Sequence, residues 1–389
     1  MGLNFPAAPL IGDVYPMPAL PGVPQWTWNG TSWKCGTIDT ANYLLKSGGT
    51  MTGPIVLPAD PANALEATPK QYVDAFAGNN LLINGFIDVS QENGGTAVAP
   101  NGWAADQWLM QAVAGFTAQS QSGGPLAGGG IDKQLGLISP ASYSHAAANS
   151  AYFTQYIEGL RFAKVGWGTA GGRPVSLGLW VYSNAGGVMS VTMRNGGSTR
   201  AYVIPLTIPA NSWVYRTATF PPCPDGAWPT DNTSCANFFV SFLPTTSLIA
   251  AAANSWQPAN VIVAPTATQM FTSGTQTGNY IAGVTLIPGS TPVPQSMCPL
   301  MRRDYADELR LCQRYWEKVG MTMANESGVY GNTAFFKVTK RISPTIALIA
   351  GGVAGATYGL LSHSPLDGMR QLGNPSGAID ALFSISARM

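Results

Sequence analysis

Charge is what this sequence has least of. Asp, Glu, Lys and Arg make up 10% of its 389 residues, against about 25% in an ordinary globular chain. The 20 basic and 19 acidic side chains leave a formal net charge of +1, so neither nucleic acid nor an anionic membrane is given an electrostatic handle. The surface must be wetted by Ser, Thr, Asn, Gln and backbone, which suits a subunit of a large assembly better than a free cytosolic enzyme. Histidine is nearly absent, with only His145 and His363, both in Ser-rich contexts. No HExxH, GxSxG, P-loop or GxGxxG motif occurs, so no nucleophile, phosphate cradle or metalloprotease centre is legible. The five cysteines, Cys35, Cys223, Cys235, Cys298 and Cys312, include no CxxC pair and imply no zinc framework. Cys223 and Cys235 bracket a loop rich in Pro, Asp and Asn; a disulfide closing it and two unpaired thiols are both open readings. No cofactor and no metal site are expected.

Long apolar runs are also scarce. The first 30 residues hold no Lys or Arg and many Pro and Gly, which is unlike a secretory signal. The uncharged stretch Ile342–Leu361 contains Pro344 and Gly351, Gly352, Gly355 and Gly359. It reads as strands between glycine turns rather than as a membrane span.

What the chain does have is punctuation: 45 glycines and 30 prolines. That density cuts a chain into short strands and turns, and the expected fold class is all-β. Residues 1–40 form a first module. Trp26, Trp28 and Trp33 alternate with polar residues around Asn29-Gly30, the dipeptide that tolerates the positive φ angles of a tight hairpin. Some 40 residues supply little core of their own, so these tryptophans are candidates for anchoring the module to another protein. Residues 41–80 read as a connector in which Thr68 caps a short helix that has Pro69 at its first position. Residues 81–295 hold strands at 175–181, 188–193, 201–208, 213–219 and 238–243, with turns every 8–15 residues, as in a two-sheet sandwich. Residues 296–389 begin with a helical pattern over 304–319 that Asp304 caps and Gly320 stops, with Leu309, Cys312, Trp316 and Val319 on one seam. Strands are expected after it at 334–339, 345–349 and 381–387.

Several of these segments resemble bacteriophage tail-fibre and spike proteins. The run 48–57 (GGTMTGPIVL), followed by 64–74 (ALEATPKQYVD), is similar to a fibre repeat in which a short strand precedes a "TKQYVD"-like helix that trimerises along a shaft. Here Pro69 precedes the Lys and one repeat is present, so the shaft implied is short. The opening 80–91 (NLLINGFIDVSQ) with 105–108 (ADQW) resembles the start of a fibre jelly-roll domain, with Gln107 at the usual Arg. Residues 278–294 are similar to that domain's close. Residues 302–318 (RRDYADELRLCQRYWEK) match a fibre C-terminal signature nearly residue for residue. Residues 109–170 match no such segment. The resemblance implies a homotrimeric virion structural protein, made in the host cytoplasm and exposed on the particle. Its N-terminal module, connector and short shaft, jelly-roll body and C-terminal helix with β tip would serve attachment to a host-surface glycan. A head or neck decoration fibre without receptor role, and a polysaccharide-degrading tailspike, are the alternatives. The implied partners are its own copies, other virion proteins of tail, neck or baseplate, and host polysaccharide, with no nucleic acid and no membrane span.

An enzyme is not expected, although a depolymerase remains an alternative because paired carboxylates for glycoside hydrolysis need not be close in sequence. Sugar binding asks instead for flat aromatics and neutral hydrogen-bonding groups. Trp103, Trp108, Trp167, Tyr143, Tyr152 and Trp228 lie near loops rich in Gly, Ser and Asn. Trp108 and Trp180 sit in apolar strand contexts that point to core. Trp167, between Gly166 and Gly168, and Trp228, in a loop, are the candidates for exposed glycan-binding residues.

Overall fold

A computed structural model describes residues 4–19, 23–36, 80–323, 333–351, 358–371 and 379–389. The chain divides into two compact units, Met1–Pro69 and Lys70–Met389. The connector motifs at 48–57 and 64–74, with the helix expected at Thr68, lie outside the described residues.

In the first unit β1 (Val14–Tyr15), β2 (Trp26–Trp28) and β3 (Trp33–Cys35) form one antiparallel meander. The hairpin turns at Asn29-Gly30 as its sequence requires. Asn29 Oδ1 accepts from the N–H groups of Thr31 (3.0 Å) and Ser32 (2.9 Å), and Gly30 takes φ 96°. Trp28 faces Trp33 across the pair. Phe5 stacks on Trp33 at 5.0 Å and meets Trp26 edge-on at 5.5 Å, so the aromatic face is half-buried against itself. Leu10, Ile11 and Met17 remain exposed.

The second unit is built on an antiparallel two-sheet sandwich. Its strands are β4 (Trp103–Ala105), β5 (Trp108–Ala112), β6 (Thr117–Leu126), β7 (Ile131–Ile138), β8 (Ala151–Glu158), β9 (Val175–Ser183), β10 (Gly187–Asn195), β11 (Ala201–Ile208), β12 (Val214–Phe220), β13 (Ser234–Ser241), β14 (Trp256–Gln257) and β15 (Gly278–Pro288). One sheet has the order β14-β11-β10-β13-β8-β5-β4 and the other β12-β9-β15-β7-β6. The chain passes from sheet to sheet between β5 and β6, β7 and β8, β8 and β9, β9 and β10, β11 and β12, β12 and β13, and β14 and β15. The all-β, jelly-roll expectation is what the chain builds. Strand alternation explains the core. Leu177, Leu179 and Val181 on β9 face Val191, Met193, Phe238 and Val240 of the other sheet, and all are buried. Each such side chain contributes about 1.5–3 kcal/mol over an exposed one.

Beyond the sandwich come a 3-10 segment (Gln295–Met301), a helix (Tyr305–Gln313), β16 (Trp316–Met323), β17 (Thr333–Phe335), β18 (Thr345–Gly351), β19 (Tyr358–Leu360), β20 (Gly368–Gln371) and β21 (Ile379–Ser386). They form two small sheets, β16-β21-β18 and β17-β20-β19. The helix expected over 304–319 stops at Gln313. Trp316 to Val319 are taken instead by pairing with β21, in the register Trp316↔Ser386 to Val319↔Phe383. Cys312, Trp316 and Val319 are buried as the seam required, but in separate places. Cys312 packs with Ile83, Val89 and Tyr315, while Val319 packs with Met321 and Phe383.

Three of the segments that carry the family resemblance meet in one polar clasp. Arg303 pairs with Glu308 at 3.0 Å and donates to the Leu82 carbonyl at 3.1 Å. Glu308 Oε1 accepts from the Asn84 N–H at 2.7 Å, and Asn84 Nδ2 donates to the carbonyls of Val89 (2.7 Å) and Asp106 (2.9 Å). Trp108 Nε1 donates to the Asn84 carbonyl at 2.9 Å. Beside it, buried Glu158 takes Arg314 at 2.7 Å and the Tyr315 hydroxyl at 2.7 Å. Fully buried Lys340 and Glu317 pair at 2.6 Å; burial pushes the Lys340 amine down and Glu317 draws it back up. Charges buried this way add little net stability but make the removal of one partner costly.

Candidate functional site

The two tryptophans expected to be exposed are core residues. Trp167 is 3% and Trp228 9% exposed, and their rings meet edge-on at 4.9 Å beside Phe162 and Trp256. Their indole N–H groups are spent on the carbonyls of Arg173 (2.6 Å) and Asp225 (3.0 Å). The flanking glycines that suggested a loose loop do the opposite. Gly166 and Gly168 take positive φ, and a Cβ at Gly168 would lie 2.8 Å from the Trp228 ring. Gly168 is small so that the rings can close on each other. Trp108, Trp180 and Tyr143 are also buried. Trp103 is half-buried under the Arg388 guanidinium at 4.4 Å, and half-buried Tyr152 donates to Gln111 Oε1 at 2.6 Å. Cys223 and Cys235 are buried free thiols with no bridge between them; burial, then the Asp231 charge, pushes the Cys235 thiol up to about 12.

Aromatic surface open to solvent occurs on the outer face of the five-stranded sheet. Alternation places Leu177, Leu179 and Val181 inward, so Gly178, Trp180 and Tyr182 of β9 face out, joined by Tyr280 and Ala282 of β15, Gln134 and Gly136 of β7, and Tyr215 of β12. One half of this face is roofed by the 3-10 segment. Met297, Cys298 and Met301 close over Trp180, Ala282 and Ile287. The Tyr215 ring lies over Gly178, where a Cβ would come 2.1 Å from its hydroxyl oxygen. That hydroxyl donates to the Val293 carbonyl at 2.8 Å, and burial raises its ionisation well above the ordinary range. The Cys298 thiol, sealed in the same layer, is pushed up to about 12 by burial.

The other half is an open groove of about 260 Å³ lined by Gly123, Gln134, Tyr182, Asn184, Trp213 and Tyr280. Tyr280 pairs with Gly136 on one side and Tyr182 on the other. A Cβ at Gly136 would lie 2.7 Å from the Tyr280 ring, and one at Gly278 would lie 2.4 Å from its hydroxyl. The ring therefore lies down on the sheet over two glycines, with its outer face as a floor. Tyr182 stands at 66° to it with centroids 5.8 Å apart, and Trp213 lies 5.8 Å beyond Tyr182, tilted by 52°. All three rings are half-buried. Asn184 is held in place, accepting from the Gly278 N–H at 2.9 Å and donating to the Tyr182 hydroxyl at 3.4 Å. Gln134 Nε2 donates to the Ser122 carbonyl at 3.2 Å. Burial, then Tyr182, raises the Tyr280 phenol, so the floor is neutral at physiological pH. None of the lining residues carries a formal charge. Such a groove can stack an apolar ring and hydrogen-bond its hydroxyls, and its lining includes no carboxylate or histidine. Of the buried carboxylates, Glu158, Glu308 and Glu317 are held in ion pairs elsewhere, and Asp106 accepts from the Gln91 N–H at 2.8 Å. Among the described residues no group of three or more His, Cys, Asp or Glu could hold a metal ion, and no helix is long and apolar enough to cross a membrane.

Tyr182, Trp213 and Tyr280 were not singled out by the sequence, because aromatics within strands read as core. The usable signal was Gly278 two residues before Tyr280, the spacing that lets a ring fold back over its own strand.

No family model matches the chain. An uncharacterized protein, 091L, of Invertebrate iridescent virus 3 is 45% identical over 53 residues, which are 14% of this chain and 5% of that one. Among solved structures, the enzymatically active domain of tailspike protein 4 of bacteriophage CBA120 is similar over 54% of this chain and 21% of its own, with 14% identity and a TM-score of 0.30. A family 11 carbohydrate-binding module from Clostridium thermocellum, in complex with a β-1,3-1,4-mixed-linked tetrasaccharide, is similar over 48% of this chain and 91% of its own, with 9% identity and a TM-score of 0.25. The chain thus spans about a fifth of the tailspike domain and a far smaller part of the viral relative. Likenesses of this size identify neither a family nor a function.

Proposed function

We propose that this chain is a phage virion subunit, a tail-fibre or spike protein, and that its sandwich holds a neutral host-surface glycan in the groove around Tyr280 without cleaving it. The observation that carries the binding role is the Tyr280 ring laid over Gly136 and Gly278, with Tyr182 and Trp213 upright beside it. A pyranose has an apolar face that stacks on such a floor and a rim of hydroxyls within reach of the Asn184 and Gln134 amides. Rings tilted by 52° and 66° grip a single hydrated chain; a flat crystalline array would need them coplanar. The virion role is supported by the fibre-like segments at 48–57 and 64–74, at 80–91 with 105–108, and at 302–318. In it, Trp26, Trp28 and Trp33 of the N-terminal module anchor the chain to the particle, and three chains assemble along the short shaft. Each groove binds weakly, and three copies per trimer turn weak sites into useful attachment.

The test uses the purified full chain with envelope polysaccharide from a susceptible host, following retention and new reducing ends together. Retention that survives about 0.5 M salt, because no ion pair is there to screen, and that is lost in Tyr280→Ala and Trp213→Ala, is the expected result. Release of new reducing ends would establish the depolymerase alternative. Unchanged retention in both variants would sink the groove as the binding site, and no retention by the wild type would favour a decoration fibre.

A further inference from the structure

A second cleft, about 570 Å³ in volume, opens on the small C-terminal sheets, and its chemistry differs from that of the groove. Phe335, Leu361, Ser362, His363, Asp367 and Arg370 line it. Arg370 lies on β20, the middle strand of β17-β20-β19, facing Gly359 on one neighbour. Gly359 offers no side chain on that side, and Thr333 stands opposite Arg370 on the other neighbour, β17. Arg370 Nε is buried and has no hydrogen-bond partner among the described residues. Arg370 has no ion pair among the described residues. Asp367, the lining carboxylate, accepts from Thr339 Oγ1 at 2.7 Å. At the rim Phe335 is 71% exposed, and Ser362 Oγ lies 3.2 Å from His363 Nδ1.

A guanidinium that lines a cleft without an ion pair can take an oxyanion on its terminal Nη edge, with two parallel hydrogen bonds. Phe335 adds a flat apolar face of the kind that sugar rings stack on. We infer that this cleft binds an acidic sugar, with the oxyanion, a carboxylate or a phosphate, on Arg370 and the ring against Phe335. The site is separate from the neutral groove and does not depend on its function.

The full chain is titrated with sodium glucuronate, glucose 6-phosphate, inorganic phosphate and glucose, and binding is followed by calorimetry or ligand-observed NMR. Saturable binding of glucuronate or of glucose 6-phosphate, weakening as salt rises from about 50 to about 500 mM, is expected, with glucose showing no such salt-sensitive mode. Glucuronate alone would assign the site to uronates and glucose 6-phosphate alone to phosphosugars. Arg370→Gln should weaken the acidic sugars about tenfold or more, and Arg370→Lys, which keeps the charge but loses the fork, should fall between. Phe335→Ala, at an exposed position, should weaken the sugars while leaving inorganic phosphate unchanged, and Tyr280→Ala should leave all of these titrations as they are. If neither acidic sugar binds, or if binding is unaltered in Arg370→Gln, the inference fails. Should Arg370→Gln lower the melting temperature too far to be read, wild-type affinity in both Arg370→Lys and Phe335→Ala overturns it equally.

Discussion

The roofed and open halves of the outer sheet face are made of the same parts. Each has a tyrosine laid on glycine: Tyr215 on Gly178, and Tyr280 on Gly136 and Gly278. Each has a tryptophan beside a tyrosine: Trp180 lies 5.5 Å from Tyr215 itself, and Trp213 reaches Tyr280 only through Tyr182. What separates them is the seven-residue 3-10 segment, which seats Met297, Cys298 and Met301 on one half and leaves Tyr182 and Tyr280 uncovered, with half-buried Trp213 at the boundary packed against the roofed cluster. An aromatic strand face is thus core or binding surface according to what a distant part of the chain lays on it. Stability should therefore reside in the roofed half and recognition in the open half.

The largest expected effect tests that division directly. Trp180→Ala removes a ring from beneath the roof and should cost about 3–5 kcal/mol in denaturant unfolding, the range for large-to-small core changes. Glycan retention per folded molecule should remain. Trp213→Ala in the open half should cost about 1 kcal/mol while reducing retention. Equal destabilisation by the two changes would mean that the halves are one packed layer and that the groove is incidental.

The glycines sharpen the same comparison at a smaller scale. A Cβ at Gly178 would meet the Tyr215 hydroxyl oxygen at 2.1 Å, and Tyr215 is fixed by its bond to the Val293 carbonyl. Gly178→Ala should therefore cost about 1–3 kcal/mol, as overpacking does. Gly136→Ala meets the Tyr280 ring at 2.7 Å, but that ring has solvent above it and can lift. The expected outcome is a loss of retention with less destabilisation than Gly178→Ala. Retention at the wild-type level would show that the ring need not lie flat to bind.

The reason these positions escaped a reading of the sequence is physical. Alternation in β9 marks which residues leave the core side, and strands expected at 175–181 and 201–208 are found as Val175–Ser183 and Ala201–Ile208. Turn chemistry at Asn29-Gly30 is local and was legible for the same reason. Exposure is not local. Trp167 looked exposed because glycines flank it, yet one of them, Gly168, leaves the room that brings Trp228 within 4.9 Å. The helix over 304–319 failed for a related reason: the 3, 4, 3 spacing of Leu309, Cys312, Trp316 and Val319 is real, but the pairing of Trp316 with Ser386 is made by residues some 70 positions away.

The smallest expected effect comes from the proton held under the roof. Burial raises the Cys298 thiol from the ordinary 9.0 to about 12, so the folded chain keeps this proton at pH values where the unfolded chain has released it. The stability linked to it is whole below about pH 9 and is lost as pH rises through about 12, by up to about 1.4 kcal/mol per pH unit. At pH 10 that is about 1 kcal/mol. Cys235 is raised to about 12 by burial as well and gives the wild type a second contribution of the same sign. Cys298→Ala should therefore remove only one share of the alkaline slope, while lowering stability at pH 7 by the packing that its sulfur contributes. Unfolding midpoints measured from pH 7 to 11 for the two proteins should converge as pH rises. Parallel curves would show that the roof admits water to Cys298 and that the covered half is less sealed than the contrast with the groove requires.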